Sequence, residues 1–208
     1  MIKKYLVLIC LIISVILMGI ATLFYPGGSL LEKNSVGFDW SENFFSNLFE
    51  SQALNGLENS SRIWALIGIV FHSLGYGIFF INMSKKIAVR HATTTLKLIG
   101  AANILFTCLI ATPLHNIMVI ISSTLFLIGL FYITVFILKT NLTVFKFACL
   151  ICLLTFYYTL FLYGSGIWGL LAIMQKVSFI SSMLLILGLE YFTKQEDFRQ
   201  IKLGGQKM

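Results

Sequence analysis

Runs of about 20 apolar residues, each long enough to cross a hydrocarbon core as a helix, recur six times along this chain. The pattern predicts spans over Tyr5–Tyr25, Ile63–Asn82, Leu96–Thr112, Asn116–Leu138, Val144–Tyr163 and Gly169–Phe192. The third is the shortest and is expected to recruit part of the preceding stretch Thr93-Thr94-Thr95. Pro113 follows it, where a missing N–H suits a tight turn into the fourth span. The first run, after Met1-Ile2-Lys3-Lys4, also has the outline of a signal peptide. It is longer than the 7–15 residues of a signal core and no small-residue cleavage site follows, so a retained helix is expected. A bulky Ile9 before Cys10 also argues against lipid attachment there.

One connection, 26–62, is long, and a structureless loop of that size is unusual. At 100° per residue, Trp40, Phe44, Phe45, Leu48 and Phe49 fall on one arc. Glu42, Asn43, Ser46, Asn47 and Glu50 fall on the other. This pattern predicts a short amphipathic helix, about Trp40 to Ser51, lying at the membrane surface or across the mouth of the bundle. Asp39 is placed to cap it, with Glu42 as the capping-box partner.

Composition agrees with the pattern. Of 208 residues, 58% are hydrophobic and 11% charged, against about 25% charged in a soluble domain, too few to cover a soluble surface. The expected architecture is therefore an all-α polytopic membrane protein, a single domain over 1–208 with six transmembrane helices and a short outer amphipathic helix. Charge orients it. Lys3, Lys4, Lys85, Lys86, Arg90, Lys97, Lys139, Lys146, Lys194, Arg199, Lys202 and Lys207 fall on one side, 12 of the 15 basic residues. That side is expected to be cytoplasmic, with both termini and the tail 193–208, in the cell membrane. The long connection is then the outer loop. It holds Glu32, Asp39, Glu42, Glu50 and Glu58 against Lys33 and Arg62, a net charge of −3. The overall charge of +7 is thus a topology signal. No soluble region is large enough to form a basic groove, so no nucleic-acid partner is expected.

Few residues carry chemistry. Lys176 lies about 10 Å inside the sixth span and needs a partner or a cavity. Gln175 adjoins it. An outward-open pocket is expected, with Lys176 paired to Asp39, Glu42 or Glu50 or to an anionic ligand. His72, among Gly68, Ser73, Gly75 and Gly77, reads as an interhelical hydrogen bonder. With His115 and Asp39 it forms the weaker alternative of a metal site in a membrane-embedded hydrolase, though His72 and His115 are separated in depth by roughly 15 Å. Asn103, Thr107, Ser122, Ser123, Thr155, Ser178, Ser181 and Ser182 read as packing residues. Cys149 and Cys152 form a CxxC inside an apolar run, where low reactivity and a packing role are expected. No phosphate loop, dinucleotide fingerprint, zinc-protease or nucleophile-elbow motif occurs.

Several short motifs together resemble a known family. They are Tyr25-Pro26-Gly27-Gly28, the run Phe38-Asp39-Trp40-Ser41-Glu42-Asn43-Phe44-Phe45-Ser46-Asn47-Leu48, Asn55, Ser61-Arg62, Pro113-Leu114-His115 and Gln175-Lys176. The chain resembles the bacterial and archaeal six-helix proteins called the domain of unknown function 998 family, and is loosely similar in layout to the DRAM-like membrane proteins. That family usually has Ser-Asp-Leu-Gly where this chain has Ser46-Asn47-Leu48-Phe49, so no ionic role carries over to Asn47. The resemblance implies a fold and a polar outer face, and no established chemistry.

The leading expectation is a non-enzymatic protein that binds a membrane lipid headgroup or small anionic ligand at the outer leaflet, or assists a membrane protein partner. No cofactor or catalytic residue is implied. The ligand-binding candidates are Asp39, Asn43, Arg62, His115, Gln175 and Lys176. A metal-dependent hydrolase and a small transporter are the alternatives.

Overall fold

The computed structural model describes residues 2–87 and 89–198. Six helices are long and apolar enough to cross a membrane: α1 (Leu6–Leu23), α2 (Arg62–Lys86), α3 (Arg90–Leu109), α4 (His115–Leu138), α5 (Thr143–Ser165) and α6 (Trp168–Phe192). Short 3-10 turns cover Ile2–Tyr5, Phe45–Phe49 and Gln195–Phe198. The described residues form no strand. The part of the tail beyond residue 198, with Arg199, Lys202 and Lys207, lies outside the described residues.

The helices follow the apolar runs, with two displacements at the end where the basic residues gather. α2 continues through Lys85 and Lys86, and α3 begins at Arg90, taking in all three threonines. Polar residues at a helix end need not stop a helix, because they can extend beyond the apolar slab. Both described chain ends lie on this face. The Tyr5 and Tyr191 rings stack at 6.2 Å, and the Leu8 N–H donates to the Tyr191 hydroxyl at 3.1 Å. Lys86 also ties α2 to the end of α6, donating to the carbonyls of Leu189 at 3.0 Å and Glu190 at 2.5 Å. These are carbonyls a helix leaves unpaired in its last turn.

α1, α2 and α3 pack closely because small residues meet large ones at the crossings. Gly75 faces Leu11, and Gly77 faces both Ile104 and the Gly100 backbone. A Cβ at Gly77 would overlap Ile104 and lie 2.7 Å from the Gly100 carbonyl oxygen. Such close backbone approach is how helices associate where lipid supplies no hydrophobic drive. α5 is the least enclosed helix, burying only Cys149, Cys152, Leu153 and Leu162. Both cysteines are free.

The buried apolar residues form two clusters. The larger runs from mid-bundle toward the chain ends and includes Phe79, Phe80, Leu96, Leu130, Ile133 and Ile186. The smaller gathers Met18, Ala21, Tyr25, Leu48, Phe49, Ala53, Ala65 and Ile69 where the long loop meets α1 and α2.

The long loop does not form the expected helix over 40–51. Residues 39–43 make one turn, the chain becomes extended at Phe44, and a 3-10 turn follows over Phe45–Phe49. Asparagine side chains explain the break. Asn43 Oδ1 accepts from the Asp39 N–H at 2.8 Å and Asn47 Oδ1 accepts from the Phe44 N–H at 2.7 Å, so each closes a local turn that competes with a continuous helix. Asp39 does cap the first turn, through Ser41 and Glu42 N–H groups. Glu42 is not its capping-box partner; its carboxylate accepts from the Ser29 hydroxyl. Gly27 and Gly28, both at positive φ, let the loop double back, since a side chain there would collide with the Ser35 and Asn55 backbone.

The glycine crossing makes a direct prediction. Gly77→Ala should destabilise the protein by about 1–3 kcal/mol, the usual cost of overpacking. Gly169→Ala, where an added Cβ meets open space, should change stability by no more than about 0.5 kcal/mol. Thermal unfolding of the two purified variants in the same detergent measures the difference.

Candidate functional site

Lys176 is the deepest basic side chain in the loop-facing half of the bundle. It is 8% exposed. Its ammonium donates to the Asn43 carbonyl oxygen at 2.6 Å and to the Ala172 carbonyl oxygen at 2.8 Å. The rings of Phe45 and Phe38 lie 5.6 and 5.7 Å away, within cation–π range. Beside it, Gln175 Oε1 accepts from the Phe45 N–H at 2.8 Å. Two adjacent α6 side chains therefore hold two adjacent stretches of loop backbone.

This corrects the expected ion pair. Among the described residues the single salt bridge is Lys86–Glu190 at 4.0 Å, near the opposite end of α6 from Lys176. The acids expected to pair with Lys176 serve the loop itself or do not reach it. Asp39 Oδ1 accepts from the Ser41 hydroxyl at 2.5 Å, the Ser41 N–H at 2.7 Å and the Glu42 N–H at 3.1 Å. The Ser41 hydroxyl, followed by these N–H groups and, least of all, the positive charge of Lys176, holds the Asp39 carboxyl below its ordinary range; that attraction acts at a distance, without an ion-pair contact. The resulting contribution to the turn is present above the unfolded value of about 3.9 and is lost as pH falls through the lower folded value. Asn43 is fully buried, and its amide also donates to the Gly28 carbonyl at 2.7 Å. Arg62 Nε donates to the Phe49 carbonyl at 3.1 Å, joining the start of α2 to the end of the 3-10 turn.

Asp39, Asn43, Arg62, Gln175 and Lys176 thus organise the loop, and Gln175, together with His115, also lines a cavity. Under the loop lies a cavity of about 530 Å³ to which all six helices contribute. It sits between the two apolar clusters, with Phe126 and Tyr76 toward the larger and Met18, Phe49 and Ile69 toward the smaller. The loop presents Phe44, Phe45, Ser46 and Phe49 to it, so its roof is mainly aromatic and not the polar arc that the sequence pattern placed there. Tyr163 and Trp168, in edge contact at 5.8 Å, stand at the rim.

The walls carry neutral polar groups. α3 supplies Asn103 and Thr107, α4 supplies Ser122 and Ser123, α5 supplies Thr159, and α6 supplies Gln175, Ser178 and Ser182. Most of these hydroxyls donate to a neighbour and retain acceptor capacity. Thr107 donates to Asn103 Oδ1 at 3.0 Å, Thr159 and Ser178 share a bond at 2.8 Å, and Tyr76 and Ser182 share one at 2.6 Å. Among the described residues no Asp, Glu, Lys or Arg lines the cavity.

His72 lies in this wall without the interhelical hydrogen bond that its setting among small residues predicts. Its ring is 4.9 Å from Phe179 and 4.1 Å from Tyr76, and its buried Nδ1 has no partner. The Ser14 hydroxyl, also on the wall, is buried and unpartnered too. His115 Nδ1 bonds the Ile110 carbonyl at 2.8 Å. His72, His115 and Asp39 do not converge: among the described residues no group of three or more His, Cys, Asp or Glu side chains could hold a metal ion.

The wall residues that read as packing in the sequence carried a usable signal. Gln175, Ser178 and Ser182 lie at i, i+3 and i+7, Asn103 and Thr107 at i and i+4, and His72 and Tyr76 at i and i+4. Each is a polar stripe on an apolar helix. Asn59 is a loop organiser that sequence reasoning missed. Its amide donates to the Asn47 carbonyl at 3.0 Å and the Glu50 carbonyl at 2.9 Å, while its Oδ1 accepts from the Ser61 hydroxyl at 2.5 Å.

Lys176→Met should lower stability by about 1.5–3 kcal/mol, the usual worth of hydrogen bonds from a charged group. Neutralising Asp39, Glu42 or Glu50 in the same chain should give no rescue, because the lost partner is a carbonyl. Thermal unfolding of the single and double variants checks this; rescue by any one acid would restore the ion-pair reading.

Comparison of the chain with protein-family models, curated proteins and solved structures finds no match, so the reading of this site rests on its own geometry.

Proposed function

We propose that the protein binds an uncharged polar ligand, such as a lipid headgroup, in the cavity beneath the long loop. The observation that carries this reading is the His72 ring, which lines the cavity on a wall of hydroxyl and amide groups and has no hydrogen-bond partner among the described residues. A polar ring that lines a cavity without a partner of its own offers a hydrogen bond to a ligand group. The volume falls within the range of small-molecule sites, about 300–1,000 Å³. The expectation of an anionic ligand is revised here to a neutral one. Lys176 donates to two carbonyls and lies outside the lining, and no Lys or Arg among the described residues lines the cavity to offset a buried negative charge.

The loop face is proposed to be the outer face of the cell membrane, since the basic residues concentrate on the opposite side. A six-helix layout with a polar outer face is also what the resemblance to the domain of unknown function 998 family implies.

His72→Phe keeps a ring against Phe179 and Tyr76 and removes both nitrogens. Protein purified in mild detergent should carry a neutral lipid or other polar molecule, detected by mass spectrometry of the extract. The variant should retain it about tenfold less, the effect of losing roughly one hydrogen bond. Equal retention by parent and variant, or extracts holding only bulk membrane lipid, would count against the cavity reading.

The orientation has its own measurement. Val36 is 94% exposed in the loop. Val36→Cys, in a chain with Cys10, Cys108, Cys149 and Cys152 replaced by alanine, should react with a membrane-impermeant maleimide in intact cells. Labelling only after permeabilisation would reverse the orientation.

A further inference from the structure

A second void adjoins the first. It is a groove of about 450 Å³ between α1 and α6, and every residue lining it is apolar. It follows α1 from Leu11 to Gly19 and α6 from Phe179 to Leu187, about 12 Å along each helix at 1.5 Å per residue. Trp40 of the loop stands at its loop-side end, 55% exposed. An amphipathic ring at such a position suits the boundary between headgroups and chains.

The two voids share three lining residues, Met18, Phe45 and Phe179. The three come from separate elements, α1, the loop and α6. The Phe45 and Phe179 rings meet edge to face at 5.2 Å, and no hydrogen bond can join them to each other. Phe179 also stacks on His72, so the same ring touches the unpartnered polar group on one side and the apolar groove on the other. A headgroup bonded to His72 therefore lies one ring away from a channel suited to hydrocarbon.

We propose that the groove between α1 and α6 takes the hydrocarbon chain of a neutral amphiphile whose hydroxyl-bearing headgroup occupies the cavity, the chain passing between Phe45, Phe179 and Met18. The inference rests on the cavity reading and adds the ligand's second half. The ligand class is an uncharged lipid with a small polyhydroxyl headgroup, such as an acylglycerol. A charged headgroup would lie among neutral walls, and a free polyol would leave the groove without a role.

The experiment uses the full chain in phosphatidylcholine nanodiscs and a monoacylglycerol carrying a diazirine at its chain end. After photolysis, adducts are mapped by mass spectrometry. Adducts are expected on groove residues such as Val15, Ile180 and Leu184, displaced by excess 1-oleoylglycerol and not by more phosphatidylcholine. Gly19→Phe should fill the groove, since a Cβ there meets nothing within 4 Å. It should reduce the groove adducts about tenfold. Leu184→Trp, at a residue 65% exposed on the same groove, should do likewise and guards against misfolding of the first variant. His72→Phe should reduce the same adducts even though it leaves the groove intact. Groove adducts that phosphatidylcholine displaces equally, or that ignore His72→Phe, would reduce the groove to an ordinary lipid contact and overturn the inference alone. Displaceable adducts confined to cavity residues would also overturn it while leaving the cavity reading standing. Absence of any displaceable adduct would overturn it as well, while the cavity reading stands or falls on the co-purified extract of the parent and His72→Phe.

Discussion

An ammonium group held within an apolar helix must find acceptors, because leaving it bare in such surroundings costs several kcal/mol. Lys176 finds them in a loop carbonyl and a carbonyl of its own helix, with two aromatic faces alongside. This requirement places the loop. Asn43 must bring its carbonyl down to the side chain, so the segment enters the mouth of the bundle. Gln175 then captures the next stretch at the Phe45 N–H. Asn43 can be fully buried there because its amide bonds both the Asp39 N–H and the Gly28 carbonyl. The aromatic roof over the cavity follows from that anchoring.

The space beneath the roof follows from unequal packing. α1, α2 and α3 are drawn together by glycine crossings, which leave little room between their axes. α4, α5 and α6 face the cavity with hydroxyls and large aromatics. The hydroxyls mostly bond within their own or adjoining helices, which keeps them from closing the gap to the opposite wall. His72 and Ser14 come from the tightly packed side and find no partner across the space. The cavity is therefore a boundary between two packing regimes, and its unmet hydrogen bonds lie on the side that cannot move inward.

Much of this fold was legible from composition and periodicity. Six apolar runs became six helices, and the helix starts at His115 and Trp168 lie one residue from their expected positions. The third apolar run begins at Leu96 and is expected to recruit part of the threonine stretch; the helix takes in all three threonines and begins at Arg90, because polar residues count against an apolar span but not against a helix end. The loop was less legible. A helical wheel assumes a continuous helix, and Asn43 and Asn47 each divert a backbone N–H to a side chain. Lys176 was recognised as needing a partner, but charge counting points to carboxylates and cannot see a carbonyl. The small neighbours of His72 predict close helix contact; in the fold its ring stacks on Phe179, lies tilted against Tyr76 and bonds neither.

The acids of the loop bear on what the cavity can hold. Asp39 closes its own turn, Glu42 accepts from Ser29, and Glu32 accepts from the Asn34 N–H at 2.9 Å. These carboxylates fold the loop, and the described lining of the cavity contains none of them. The one deep cation at this end is engaged by carbonyls. Charges of both signs are thus used in building the roof, and the chamber under it is left neutral. Recognition there has to come from hydrogen-bond geometry and shape. A wall of hydroxyls, two amides and an imidazole, beside an apolar groove, suits a ligand with the same division between a hydroxylated end and a hydrocarbon end.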